Sequence, residues 1–199
     1  TVAANVDLGL ENTGMWGKDF STAKASIAFV DLEMSGLEPF RHEILEIALV
    51  RVSQPNLEII DTWSVKVKPE HIETADPGAL QVLEWSEERW KGSLSLKEAI
   101  EQFIQKTREH ILAGWNVAYD WAFLEKAMGE LQMKSAIHKH ILDVMSFAYS
   151  RLGDKFDLGT AGLSEVTRYL GINLDHQHEA LADAMATYEV YKKLVANLK

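Results

Sequence analysis

The run Ile27-Ala28-Phe29-Val30-Asp31-Leu32-Glu33 constrains this chain more than any other segment. It is apolar at odd and even positions alike until its acids, so a strand built from it needs apolar cover on both faces. A sheet covered twice needs two outer layers, and the rest of the chain has to provide them. Ser35, Gly36 and Pro39 break the run. The acids at its end are the second constraint. Asp31 and Glu33 stand two apart, so in a strand their side chains leave one face about 6 to 7 Å apart. Carboxylates at the end of a covered strand are unfavourable unless cations pair with them. The alternative is a strand that simply ends at Asp31 with both acids in water, and an Asp-x-Glu triplet alone does not separate the two.

The remaining periodicities supply the layers. Ile44 to Val52 and Leu57 to Val67 fit two more strands, the second by clear alternation of Trp63, Val65 and Val67 with Thr62, Ser64 and Lys66. Their short connections predict an antiparallel meander. Beyond Pro69, Ala79 to Trp85 and Leu96 to Ile111 carry apolar residues at helical spacing. Ile111 to Trp115 fits a short strand feeding a helix through Trp121, Leu124, Met128 and Leu131. Ile141 to Val144 fits a further strand. A helix to Leu152, a loop from Gly153 to Gly162, a helix to Leu170 and a last helix from Glu179 to Leu198 follow. Three strands and then alternating helices and strands predict an α/β fold, a mixed sheet flanked by helices. A length of 199 residues with 47% hydrophobic content suits one domain. Residues 26–199 are assigned to it, and residues 1–25, which lack a sustained period, to an N-terminal arm or tail.

Charge and cysteine content narrow the chemistry. A formal net charge of −10 argues against a surface that grips long stretches of phosphate backbone, a mode that needs Lys and Arg. It leaves room for carboxylates that engage a single phosphate through divalent cations. With no cysteine, disulfides, thiolate zinc sites and cysteine nucleophiles are excluded. No apolar run approaches the ~20 residues of a membrane span, and no signal-peptide pattern opens the chain. A cytoplasmic setting without a membrane partner is the expectation.

Three more residues draw attention by position. Placed at roughly 100° per residue, Leu181, Ala184, Tyr188, Tyr191, Val195 and Leu198 form an apolar stripe that Thr187, Val190 and Leu194 widen. Asp183 falls inside the widened sector, where an unpaired acid is unfavourable, so it is either a metal ligand or a buried Asp satisfied by backbone or Arg. Asp120 sits in the first turn of a helix after a strand end, a place where acids are favoured in any case. His178 stands five residues before Asp183 and suits a general base, although spacing alone does not choose between it and His176. Trp85, Trp90, Trp115 and Trp121 suit base stacking, but tryptophans at helical spacing belong more often to the core.

Together these residues resemble a known set. Asp31-Leu32-Glu33-Met34-Ser35-Gly36-Leu37, then Asn116-Val117-Ala118-Tyr119-Asp120-Trp121-Ala122-Phe123-Leu124, then His178-Glu179-Ala180-Leu181-Ala182-Asp183-Ala184 resemble the three exonuclease motifs of the DEDDh family. That family includes the polymerase III proofreading epsilon subunit, ribonuclease T and oligoribonuclease. The resemblance runs from Ser26 to about Leu194. It implies a ribonuclease H-like mixed five-stranded sheet with helices on both faces. It also implies 3′–5′ exonuclease activity on single-stranded or short 3′-end DNA or RNA, releasing nucleoside 5′-monophosphates. Carried over, Asp31, Glu33, Asp120 and Asp183 would bind two Mg²⁺ or Mn²⁺ ions. The family's histidine, five residues before its last aspartate, corresponds to His178 as the base. Leu37 matches a position that wedges against terminal bases, Met34 adds to that contact, and Asn116 joins the substrate-binding set. A homodimer or a polymerase partner is implied by analogy with relatives.

The first motif, with Glu43-Ile44-Leu45-Glu46-Ile47-Ala48 after it, looks most like oligoribonuclease, whereas the second and third look more like the epsilon subunit and ribonuclease T. Oligoribonuclease carries basic residues after the second-motif aspartate, where this chain has Trp121 and Ala122, which leaves DNA against RNA open. The alternative function is a nucleic-acid-binding or polymerase-accessory module with little catalysis.

Overall fold

The computed structural model describes residues 25–135, 137, 140–155, 162–174 and 178–196, so the arm expected over residues 1–25 lies outside the described residues except for Ala25. The apolar run forms β1 (Ile27–Met34), which occupies the middle of a five-stranded sheet of order β3-β2-β1-β4-β5. β1 pairs antiparallel with β2 (Ile44–Val52), and β2 antiparallel with β3 (Ile59–Lys66), the expected meander. β4 (Ile111–Gly114) runs parallel to β1, and β5 (Leu142–Asp143) parallel to β4. A parallel neighbour needs a crossover, and α3 (Ala118–Glu130) provides the one between β4 and β5.

The alternation of β1 divides the core in two. Ala28, Val30 and Leu32 join Phe103 and Leu124 in the layer that holds α2 (Leu96–Thr107) and α3. Ile27 and Phe29 join Val50, Tyr188 and Leu194 in the layer of α6 (Ala180–Ala196). The buried aromatic and aliphatic side chains on each face contribute roughly 1.5–3 kcal/mol apiece, so neither layer is dispensable. Tyr188 meets the Phe29 ring edge-on, with centroids 5.6 Å apart, and its hydroxyl donates to the Leu57 carbonyl at 2.8 Å. That bond ties α6 to the turn before β3.

Element ends differ from the sequence-based expectation where backbone geometry intervenes. α2 starts at a Ser95–Glu98 capping box and stops at Thr107 rather than Ile111, because Glu109 turns to φ +62° and Ile111 is needed as the first residue of β4. The helix expected over Ala79–Trp85 is α1 (Pro77–Val82), capped by Asp76 and ended before Glu84 at φ +47°. Leu57, at φ +57°, belongs to the turn before β3 and not to the strand. α4 (Val144–Leu152) and α5 (Leu163–Tyr169) pack with α6. The expected last helix is seen from Ala180 to Ala196, and Leu198 lies outside the described residues. The four tryptophans pack within the fold: Trp90 is buried and its Nε1 donates to the Leu45 carbonyl, Trp85 tilts against it, Trp115 meets Tyr149, and Trp121 lies on the α3 core. Among the described residues, no helix is long and apolar enough to cross a membrane.

Candidate active site

Asp31 and Glu33 continue the side of β1 that Ile27 and Phe29 bury, so both project toward α6. The register shifts between Glu33 and Met34, a bulge that ends regular pairing just past the two acids and releases the chain into the Ser35–Glu43 loop. On α6, the fully buried Ala180 and Ala184 bracket the first turn, and their small side chains let the helix come close to the sheet. Asp183 sits between them. Asp31, Glu33 and Asp183 each offer a carboxylate oxygen within 4.8 Å of those of the other two.

Asp120 enters from the other layer. It lies in the first turn of α3, only 6% exposed, and its Oδ1 accepts a hydrogen bond from the Leu32 backbone N–H at 3.0 Å. The β1–β4 ladder ends at the pair Phe29 and Ala113, so this carboxylate takes the place that a further strand residue would otherwise fill. Its charge reaches Asp31.

Burial is the largest influence on all four acids. Asp31 is pushed well above the usual carboxylate range by burial and then by the charges of Asp120, Glu33, Asp183 and Glu46. Glu33 is pushed up to about 8 by burial and then by Asp183, Glu46 and Asp120. Asp120 is raised to about 7 by burial, with the Leu32 N–H pulling the other way. Asp183 is raised by burial against the opposing N–H of His178. Among the described residues no Lys or Arg forms an ion pair with any of the four, and Asp183 Oδ1 is buried with no hydrogen-bond partner. Three gathered carboxylates with Asp120's charge beside them, one with an orphaned oxygen and none neutralised by a basic side chain, fit a divalent cation.

The other expected site residues are distributed around this cluster. His178 is exposed, at φ +69° immediately ahead of α6, and its backbone N–H donates to Asp183 Oδ2 at 3.2 Å. His176 lies outside the described residues. Leu37, 70% exposed, and the half-buried Met34 line a cavity of about 410 Å³ beside Glu33, together with Ala79, Val82 and Leu83. Asn116 lies outside that cavity; it adopts φ +54° between β4 and α3, and its N–H donates to Asp143 Oδ1 at 3.0 Å.

Two acids that the sequence did not single out as site residues belong to the same electrostatic group. Glu46 stands directly across from Glu33 on β2, and its Oε1 accepts from Ser64 at 2.7 Å. Its signal was an acid on the inward parity of an otherwise apolar strand, shared with Ala48 and Val50. Asp143 caps α4 and adds charge near Asp120. Nothing local in the sequence distinguishes it from any other cap.

The family model described as Exonuclease, RNase_T, matches residues 28–191. DNA polymerase III PolC-type from Caldanaerobacter subterraneus is 23% identical over 92% of this chain, and the Thermotoga maritima protein of the same description is 24% identical over 91%. The chain spans only 12% and 13% of those relatives' lengths. Among solved structures, E. coli exonuclease I in complex with a dT13 oligonucleotide superposes with a TM-score of 0.74 at 16% identity, over 86% of this chain and 41% of that one. The nuclease domain of 3′hExo, a DEDDh family member bound to rAMP, gives 0.72 at 18% identity, over 87% of this chain and 93% of that one. The mixed five-stranded sheet flanked by helices is therefore the ribonuclease H-like fold of these exonucleases. With one family model spanning all three motifs, the chain belongs to the RNase_T exonuclease family.

Proposed function

We propose that this exonuclease domain hydrolyses the terminal phosphodiester bond at the 3′ end of a single-stranded or short nucleic acid and releases a nucleoside 5′-monophosphate. The observation that carries the reading is the trio Asp31, Glu33 and Asp183, whose carboxylates gather within 4.8 Å beside a cavity of about 410 Å³.

Asp31, Glu33, Asp120 and Asp183 would hold two divalent cations, Mg²⁺ or Mn²⁺. Such cations supply Lewis acidity, lowering the pKa of a bound water and offsetting charge on the leaving 3′ oxygen. His178 takes the proton of the attacking water as general base. The water oxygen bonds to phosphorus, the bond to the 3′ oxygen breaks, and that oxygen leaves with a proton as the new 3′ hydroxyl. Leu37, Met34, Ala79 and Val82 give an apolar lining for the terminal nucleoside in the slot next to the acids. Asn116, on the second motif, serves as a positioning residue at the head of α3.

The acidic surface and the exonuclease I complex with dT13 support a single-stranded end as substrate. The PolC-type relatives support a polymerase as the partner or parent of this domain. A homodimer is the other arrangement to test, and a cytoplasmic setting goes with either. Purified protein, Mn²⁺ and matched 5′-labelled DNA and RNA oligonucleotides of graded length test the reading. Stepwise loss of 3′ mononucleotides is expected, and Asp31→Ala and His178→Ala should abolish it. Retained binding without any release would instead favour an accessory module.

A further inference from the structure

His42 is 4% exposed, lies in none of the three exonuclease motifs, and is one of the few polar side chains so deeply placed. Its Nδ1 accepts a hydrogen bond from the Glu38 backbone N–H at 2.9 Å. A nitrogen that accepts carries no hydrogen, so in this ring Nε2 bears the proton and is a donor. No described residue accepts from Nε2, which keeps access to the cavity. The ring lies flat against Gly36, where φ is +153°: a Cβ there would stand 2.6 Å from Nε2 and overlap the neighbouring Cε1. Gly36 and His42 both line the cavity beside Glu33. An oriented donor without a protein partner thus belongs to a deeply placed ring that lines the slot together with Leu37 and Val82.

A donor with no protein partner that borders a cavity is open to a ligand group that can accept from it. We propose that His42 Nε2–H donates a hydrogen bond to the terminal nucleobase, to purine N3 or pyrimidine O2. Leu37, Met34, Ala79 and Val82 give the slot an apolar lining that suits the faces of a base, which leaves the base edge for His42. Every common base carries an acceptor at N3 or O2, on the edge that duplex DNA turns to the minor groove. A single donor aimed there fixes the depth of the terminal nucleotide without selecting its sequence, which suits an enzyme that removes residues one after another. His42 would act as a positioning residue for the nucleotide whose phosphate lies at the acids.

This inference rests on the exonuclease reading, and one experiment separates their failures. Oligonucleotides ending in deoxyadenosine or in 3-deaza-deoxyadenosine, which replaces the N3 acceptor by C–H, are compared by steady-state kinetics with the parent protein and His42→Asn. Asparagine can keep an acceptor for the Glu38 N–H but has no donor at the Nε2 position. The parent is expected to show a KM roughly fivefold higher for the 3-deaza end, the usual scale of one lost neutral hydrogen bond, with kcat little changed. His42→Asn should show the raised KM with both substrates and no discrimination between them. Equal KM values for the two ends with the parent, or discrimination that persists in His42→Asn, overturns the role of His42. No cleavage of either end by the parent overturns the exonuclease reading itself.

Discussion

The backbone N–H of Leu32 donates to Oδ1 of Asp120 across 3.0 Å, joining two residues 88 positions apart in the chain. This bond fixes the first turn of α3 against the end of β1, so one carboxylate both completes the strand's hydrogen bonding and adds its charge to Asp31. Structural and chemical duties therefore overlap at Asp120, and substitutions can separate them. Asp120→Asn keeps an acceptor oxygen and removes a charge held at a raised pKa, so the folded protein should be at least as stable as the parent yet inactive. Asp120→Ala leaves the Leu32 N–H buried without a partner and should lose about 1–3 kcal/mol. Urea denaturation and the 3′-release assay read the two effects. An active Asp120→Asn protein would remove Asp120 from the chemistry.

The pH dependence of stability in metal-free protein follows from the direction of the shifts. Glu33 and Asp120 have folded-state values of about 8 and about 7, above their ordinary 4.5 and 3.8. A carboxylate with a raised folded pKa contributes stability that is present below its unfolded value and lost as pH rises through the folded one. The melting temperature measured in EDTA should therefore fall between about pH 4 and about pH 8. Asp61 shifts downward through its hydrogen bond to Arg51, so its opposing contribution is confined to pH values below its ordinary 3.8. A melting temperature that climbed steadily from pH 5 to pH 8 would contradict the crowding of the acids.

Cation binding should release protons for the same reason, because the carboxylates must ionise to coordinate. At pH 7 Glu33 and Asp120 hold part of their protons. Titration calorimetry with Mn²⁺ in two buffers of different ionisation enthalpy should give apparent heats that differ, with protons passed to the buffer. Asp183→Asn, which replaces a carboxylate whose Oδ1 lacks a partner, should weaken binding at least tenfold. Identical heats in both buffers would mean that the cation does not bind these acids.

Gly114 closes β4 where three segments meet. A Cβ there would stand 2.9 Å from Val117 Cγ2 and 3.0 Å from the Val30 carbonyl oxygen. Backbone cannot yield as a flexible side chain can, so Gly114→Ala should destabilise by about 1–3 kcal/mol through overpacking. The same displacement would move Asn116 and the head of α3, so activity is expected to fall with stability. Parental stability in thermal and urea unfolding would show that this junction has more room than the structure gives it.

Much of this molecule was legible in its residue order. The doubly apolar β1 announced a covered central strand, and the core did divide by its parity, with Ala28, Val30 and Leu32 on one side and Ile27 and Phe29 on the other. The same alternation placed Asp31 and Glu33 on one face, and the 3.6-residue period of α6 placed Asp183 on the side that meets them. These are one-dimensional facts, because side-chain direction in a regular element follows from position alone. Element ends were less legible, since Glu84, Glu109 and Leu57 adopt positive φ for reasons set by their neighbours in space. Beyond the sequence altogether were the bond from Leu32 to Asp120, the position of Glu46 across from Glu33, and the unpaired Nε2 of His42 over Gly36. Each depends on which strand lies beside which and on the register between them, and pairing between distant segments is settled only when the whole core packs.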